Sequence, residues 1–409
     1  MFSFHATKRV GRAVMAATVA AGVLMATPYA IADPAAPAPA PAPAPAPVEP
    51  APAPVADQAP VAEAVRELPI PGAANAYDPE GLAEKPVDES QAKPGEGNRS
   101  VLRADADGTC EWFAPKAGNP PIPGLQDCMV FSPAMNRTIL VHVFPAARGG
   151  DAGYYLLDGL TAMETESGWT RSYQAPLKFP DANITMVMPA GGAGSFYEDW
   201  AEHADNFMLP PASREQKWDT FLSSELPAYL EQNFGVARDK NAIAGISMGA
   251  TGAVNVASRH PETFNMALSF SGYLTLDSSA PAALITAGAI GSTGFNVNDL
   301  YGSIIAPNPS PVNAMAKLDN VGDTKIVVTA GSGVLRPEDD FFNLPGNIVA
   351  ITREIVSRLS SSIYAEEARA KGVNIEERYS PVGVHTWPQF AYDFEQTFPA
   401  VLDHMGANN

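Results

Sequence analysis

From about residue 137 to the C-terminus, short apolar runs alternate with stretches whose apolar residues recur every three or four positions. Arg137 to Phe144 is rich in Ile, Leu and Val and reads as a strand. Tyr154-Tyr155-Leu156-Leu157 reads as a second, ending at the turn Asp158-Gly159, and Ile184 to Met188 as a third, stopped by Pro189 and Gly191-Gly192. Asn241 to Ser247, Phe264 to Phe270, Lys325 to Thr329 and Ile375 to Tyr379 complete the predicted strands. Helical spacing runs through Trp218 to Phe234, Met248 to Arg259, Pro345 to Lys371 and Trp387 to Met405. Pro227 is the one helix-unfriendly residue in the first of these. Strands alternating with helices predict an α/β fold with a mostly parallel sheet, covered on both faces.

The N-terminal quarter lacks this pattern. Lys8, Arg9 and Arg12 precede an apolar run, Ala13 to Ala26, and Ala30-Ile31-Ala32 stands before Asp33. The run is shorter than the roughly 20 residues that span a bilayer. Charged start, short apolar run and small-x-small site together predict a cleaved signal peptide over 1–32, hence export to the cell envelope or the medium. Residues 33–65 are mostly alternating Ala and Pro, which predicts an extended polyproline-type spacer. Residues 66–107 stay polar without a clear period and read as a disordered or loosely ordered linker. The folded domain is expected over 108–409. No later stretch is long and apolar enough to cross a membrane.

Charge narrows the function. The chain of 409 residues has a net charge of -19. Such a field repels phosphate and disfavours nucleic acid or an anionic lipid surface as a partner. The two cysteines, Cys110 and Cys128, form a closely spaced pair. In an exported protein that predicts a disulfide closing a small loop. There is no CxxC cluster, no HExxH and no paired-histidine spacing, so no metal site is expected.

The strongest chemical signal is Gly245-Ile246-Ser247-Met248-Gly249. It follows an apolar strand and opens a helix of small residues, which is the strand-turn-helix context of a nucleophile elbow. Ser247 is the candidate nucleophile, and the backbone N–H of Met248 a candidate oxyanion donor. On such a fold the histidine follows the serine and the acid. Only His260, His385 and His404 follow Ser247. His260 ends the helix that starts at the nucleophile, roughly 20 Å along its axis. His404 lies late in the last helix. His385, in the loop after the last predicted strand, is the expected base. For the acid, the residues leave Glu338, Asp339 and Asp340 after the strand Lys325 to Thr329, and Glu354 in the following helix. Position alone favours Asp339 or Asp340. Phe196-Tyr197-Glu198-Asp199-Trp200 fits a sugar site and a buried structural corner equally.

From about Asp151 to the C-terminal helix the sequence resembles the antigen 85 mycolyltransferases and their corynebacterial relatives. The resemblance is carried by Tyr155-Leu156-Leu157-Asp158-Gly159-Leu160, Gly168-Trp169, Val187-Met188-Pro189-Ala190-Gly191-Gly192 and Ser195-Phe196-Tyr197-Glu198-Asp199-Trp200. Lys217 to Leu222, Ser224 to Pro227, the elbow and Gly383 to Trp387 complete it. It implies an α/β-hydrolase fold and an exported acyltransferase. Such an enzyme moves a mycolyl group from trehalose monomycolate to a second trehalose monomycolate or to arabinogalactan, through a seryl acyl-enzyme and without a cofactor.

The resemblance also implies site residues. The family's acid is a helix glutamate, which Glu354 matches best. The second oxyanion donor falls on the N–H of Leu160. Asp158 falls on a sugar-contacting aspartate beside Gly159, and Thr386 and Trp387 on the His-x-Trp segment. The chain departs from the family at Thr161, where an arginine is frequent, and at Thr275, where some members carry an aspartate. Both departures bear on acceptor choice. The competing expectations are a secreted carboxylesterase or lipid hydrolase, a protein O-mycoloyltransferase, and a catalytically silent envelope-binding protein on the same scaffold.

Overall fold

A computed structural model describes residues 110–115, 119–201, 215–276, 290, 292–301, 312–337, 339 and 344–408. The expected signal peptide (1–32), spacer (33–65) and linker (66–107) lie outside the described residues, as do Glu338 and Asp340. Among the described residues, one sheet holds β1 (Cys110–Trp112), β2 (Gln126–Ser132), β3 (Arg137–Phe144), β4 (Gly153–Leu157), β5 (Thr185–Pro189), β6 (Asn241–Ile246), β7 (Phe264–Phe270), β8 (Lys325–Ala330) and β9 (Ile375–Tyr379). Their spatial order is β1-β2-β3-β5-β4-β6-β7-β8-β9. The pairs from β1 to β5 are antiparallel, and those from β5 through β4 to β9 are parallel.

The strands absent from the sequence reading are β1 and β2. β1 has three residues, too few for a pattern. β2 buries Gln126 and Ser132 along with Cys128 and Val130 and exposes Met129 and Phe131, so no alternation of polar and apolar residues marks it. Their pairing sets Cys110 opposite Cys128, and a disulfide joins the two, as the cysteine spacing predicts.

Short helices α1 (Gly168–Arg171), α2 (Ala175–Lys178) and α3 (Trp218–Thr220) precede a wide π turn over Phe221–Glu225 and then α4 (Leu226–Phe234). The predicted helix from Trp218 is thus interrupted. The N–H of Leu226 reaches back five residues to the Phe221 carbonyl. That opening lies just before Pro227, which has no N–H to give the helix ladder. α5 (Met248–Arg259), α6 (Val297–Tyr301), a 3₁₀ turn (Ala314–Asn320), α7 (Leu344–Ala370) and α8 (Trp387–His404) follow.

Successive strand residues point to opposite faces of the sheet, and each face has its own core. Tyr155, Leu157, Ile243 and Val328 pack with α4, α5 and Tyr364 of α7. Tyr154, Leu156, Ala244 and Leu268 pack with Trp169 and with Phe390, Phe394 and Phe398 of α8. Burial on both faces explains why β4, β6 and β8 read as unbroken apolar runs rather than as alternation. Among the described residues no helix is long and apolar enough to cross a membrane.

Candidate active site

Parallel pairing brings the carboxyl ends of neighbouring strands to one edge, where α/β sheets place their ligands. The register aligns Leu157 with Gly245, Ile246 with Phe270, and Phe270 with Thr329. The residues just beyond these strand ends therefore form a row, containing Gly159, Ser247, Ser271 and Gly331. The site is built on that row.

Ser247 sits between β6 and α5 with φ 53° and ψ -115°, a conformation costly for a residue with a side chain. Its N–H bonds the Phe270 carbonyl at 2.9 Å. The flanking glycines are required by close approach. A Cβ on Gly245 would lie 2.3 Å from the backbone of Gly249, and one on Gly249 would lie 2.3 Å from the carbonyl oxygen of Asp158. The turn that follows β4 thus rests directly on the first turn of α5. Met248 opens α5, and the N–H of a first helical residue has no carbonyl within its own helix.

His385 lies between β9 and α8. Its Nε2 is 2.8 Å from Ser247 Oγ, and its Nδ1 is 2.9 Å from Glu354 Oε2. A carboxylate only accepts, so Nδ1 carries the proton and Nε2 is left to accept from the serine hydroxyl. Glu354 is fully buried on α7. Its Oε1 accepts from Ser271 Oγ at 2.8 Å and from the Gly331 N–H. Ser271, like Ser247, has a positive φ, 55°. The arrangement is a hydroxyl, an imidazole and a buried carboxylate in one hydrogen-bonded chain, a geometry that allows a serine hydroxyl to lose its proton as it attacks a carbonyl.

The Asp158-Gly159-Leu160 turn forms the facing wall. A Cβ on Gly159 would lie 3.7 Å from Ser247 Cβ. Asp158 is buried, and both its carboxylate oxygens accept from the Gly168 N–H, at 3.1 and 2.9 Å. Burial pushes its carboxyl up to about 6, against the lowering effect of Gly168, Ser167, His142 and Arg171. Here Asp158 shapes the wall rather than projecting into open solvent. Trp387 packs edge-on against Trp169, and a Cβ on Gly168 would meet both the Trp387 ring and Asp158. Thr386 is the residue before the first turn of α8.

The structure separates other expected residues from this chain. Asp339 accepts from the Arg336 N–H at 2.6 Å and closes a local turn, so among the described acids it is Glu354 that meets His385. His260 Nε2 pairs with Asp219 at 2.9 Å, and His404 bonds the Asn265 carbonyl. Thr275 bonds Ser360 through its N–H and its hydroxyl; that serine is about 9 Å along α7 from Glu354. Thr161 is exposed. Phe196, Tyr197, Glu198 and Trp200 are buried, which makes that segment a structural corner. Glu198 pairs with Arg259 at 2.8 Å, and burial pushes its carboxyl up to about 7.

Sequence reasoning missed Ser271 and Asp393. The only trace of Ser271 is its place at the end of β7, next to the nucleophile strand. Asp393, buried on α8, accepts from Gln389 at 2.8 Å. Burial, and then the charge of Glu354, hold it well above the usual carboxylate range.

The Esterase family model matches residues 132–401. The chain is 32% identical over 295 residues to "Diacylglycerol acyltransferase/mycolyltransferase Ag85B" of Mycolicibacterium smegmatis, covering 69% of this chain and 87% of that relative. The Ag85A protein of Mycobacterium tuberculosis, with the same activity in its name, is 31% identical over 294 residues, covering 70% of this chain and 83% of its own. The crystal structure of Mycobacterium tuberculosis MPT51 (FbpC1) superposes with a TM-score of 0.56 at 28% identity, over 70% of this chain and 99% of that one. With its mostly parallel sheet and its serine at the elbow, the chain belongs to the antigen 85 family of α/β-hydrolase acyltransferases and is an acyl-transferring serine enzyme.

Proposed function

We propose that the protein is an exported mycolyltransferase with Ser247 as nucleophile, His385 as base and Glu354 as the orienting acid. The observation that carries this reading is the continuous hydrogen-bonded chain from Ser247 through His385 to Glu354, in a chain whose relatives bear mycolyltransferase names. His385 takes the Ser247 proton as Oγ attacks the ester carbonyl of trehalose monomycolate. The N–H groups of Met248 and Leu160 hold the oxyanion. His385 returns the proton to the departing trehalose oxygen. A sugar hydroxyl, of a second trehalose monomycolate or of arabinogalactan, then attacks the acyl-enzyme with His385 again as base. Asp158, Gly159, Thr386 and Trp387 form the sugar-side wall. Transfer outruns hydrolysis when the acceptor is held at the acyl carbon better than water. Residues 1–32 direct export, and the Ala/Pro segment 33–65 spaces the catalytic domain from its attachment or exit point.

The test is incubation of the purified protein with trehalose monomycolate beside Ser247→Ala, followed by separation of the lipids. Serine-dependent trehalose dimycolate is expected. Free mycolic acid as the sole product, with arabinan and protein acceptors also left unmodified, would make it a lipid hydrolase. No turnover, with Ser247 unlabelled by a fluorophosphonate, would make it a silent scaffold.

A further inference from the structure

Tyr197 is fully buried, with φ 57°, in the corner between β5 and α3. Its hydroxyl accepts from the Asp158 N–H at 3.0 Å and donates to the Gly191 carbonyl at 3.2 Å. Asp158 is the residue that turns β4 into Gly159 and Leu160. The other side of the tyrosine meets α5: a Cβ on Gly252 would lie 3.0 Å from Tyr197 Cδ2 and 2.7 Å from the Phe196 carbonyl oxygen. A Cβ on Gly192 would lie 2.8 Å from Tyr197 Cε1. The Tyr197 N–H is fixed in turn by Ser195 Oγ at 3.0 Å, and Trp218 packs edge-on against the ring. One side chain is thus clamped against the helix that begins with Met248 while its tip holds the turn that presents Leu160.

We infer that Tyr197 is a positioning residue that sets the spacing between the two oxyanion donors, the N–H groups of Leu160 and Met248. The inference rests on the proposed role of those two groups. Tyr197 touches no reacting atom. It acts on the transition state alone, because the spacing matters only once the carbonyl oxygen has moved toward tetrahedral geometry. The left-handed backbone at Tyr197 has a use on this reading: it turns the ring back between α5 and the β4 turn.

The test is Tyr197→Phe, which keeps the ring and its packing and removes only the hydroxyl. With a soluble p-nitrophenyl ester, kcat is expected to fall about tenfold with KM unchanged, less than the 10²- to 10³-fold seen when an oxyanion donor is deleted outright. Affinity for a boronic acid that mimics the tetrahedral state should fall by the same factor. A merely structural role would lower the melting temperature and leave both ratios in place. A folded Tyr197→Phe with kcat within twofold of wild type overturns the inference. If that variant does not fold, Gly252→Ala presses on the ring with the hydroxyl intact; it should lower kcat and spare KM, and an unchanged kcat overturns the inference equally. Wild-type protein that neither cleaves the ester nor binds the boronic acid would instead refute the oxyanion site itself.

Discussion

Replacing Glu354 by Gln tests the electrostatic logic of the site most directly. Glu354 Oε1 receives two donors, Ser271 Oγ and the Gly331 N–H, and Oε2 receives His385 Nδ1–H. Glutamine supplies one oxygen and one NH₂. Turning the NH₂ toward Gly331 would set donor against donor in a fully buried place, at a cost of about 1–3 kcal/mol. The oxygen therefore stays with Ser271 and Gly331, and the NH₂ faces Nδ1. Nδ1 must then accept, and its proton moves to Nε2. Nε2 in that tautomer cannot take the proton of Ser247. A wrong-tautomer substitution of this kind lowers kcat by about 10⁴-fold in triad enzymes, or about 5 kcal/mol of barrier. Ester turnover and the rate of fluorophosphonate labelling should fall together, with KM and the urea midpoint close to wild type. A folded Glu354→Gln that keeps turnover within about tenfold of wild type would refute the reasoning and remove Glu354 from the triad.

Two further outcomes follow from burial and chain linkage. The Cys110–Cys128 disulfide closes a loop with a sequence separation of 18 at the edge of the sheet; reducing it should cost up to about 3 kcal/mol of stability while ester turnover persists below the new midpoint, and an unmoved urea midpoint would show that the bond restrains nothing. Asp158 is held up to about 6 by burial, whereas an unfolded aspartate titrates near 4. Folding thus favours its protonated form, so its contribution is complete below about pH 4 and is lost as pH rises through about 6, about 3 kcal/mol in all. Urea unfolding of Asp158→Asn should gain on wild type over that interval, and parallel stability profiles would contradict the assignment.

Much of this architecture was legible because burial on both faces leaves an unambiguous apolar run. β7 and helix α5 fall at the residues their patterns predict, and so do β3 and β9, although β9 is polar at its centre and half-buried throughout. The edge pair β1–β2 was not legible, because β2 buries polar Gln126 and Ser132 and exposes apolar Met129 and Phe131, which erases the alternation. The break before α4 was visible only as an awkward Pro227; how the backbone absorbs it depends on the Phe221 carbonyl being free to accept from Leu226.

Ser247 and His385, the proposed nucleophile and base, are legible in the chain without any tertiary contact. A serine between two glycines at a strand-helix junction is a local signal, and so is a histidine after the last strand, since each depends only on its immediate neighbours. For the proposed acid, position along the chain favours Asp339 or Asp340, and it is the family resemblance that points to Glu354. Asp339 stands closer in sequence to the end of β8 than Glu354 does, yet a helix turns Glu354 inward while the loop turns Asp339 onto its own backbone. Likewise Tyr197 was an ambiguous aromatic in the sequence. Only the tertiary structure, by closing α5 against the β4 turn, brought its hydroxyl to Asp158. Contacts between residues distant in the chain are set by sheet register and helix packing, and no local pattern encodes them.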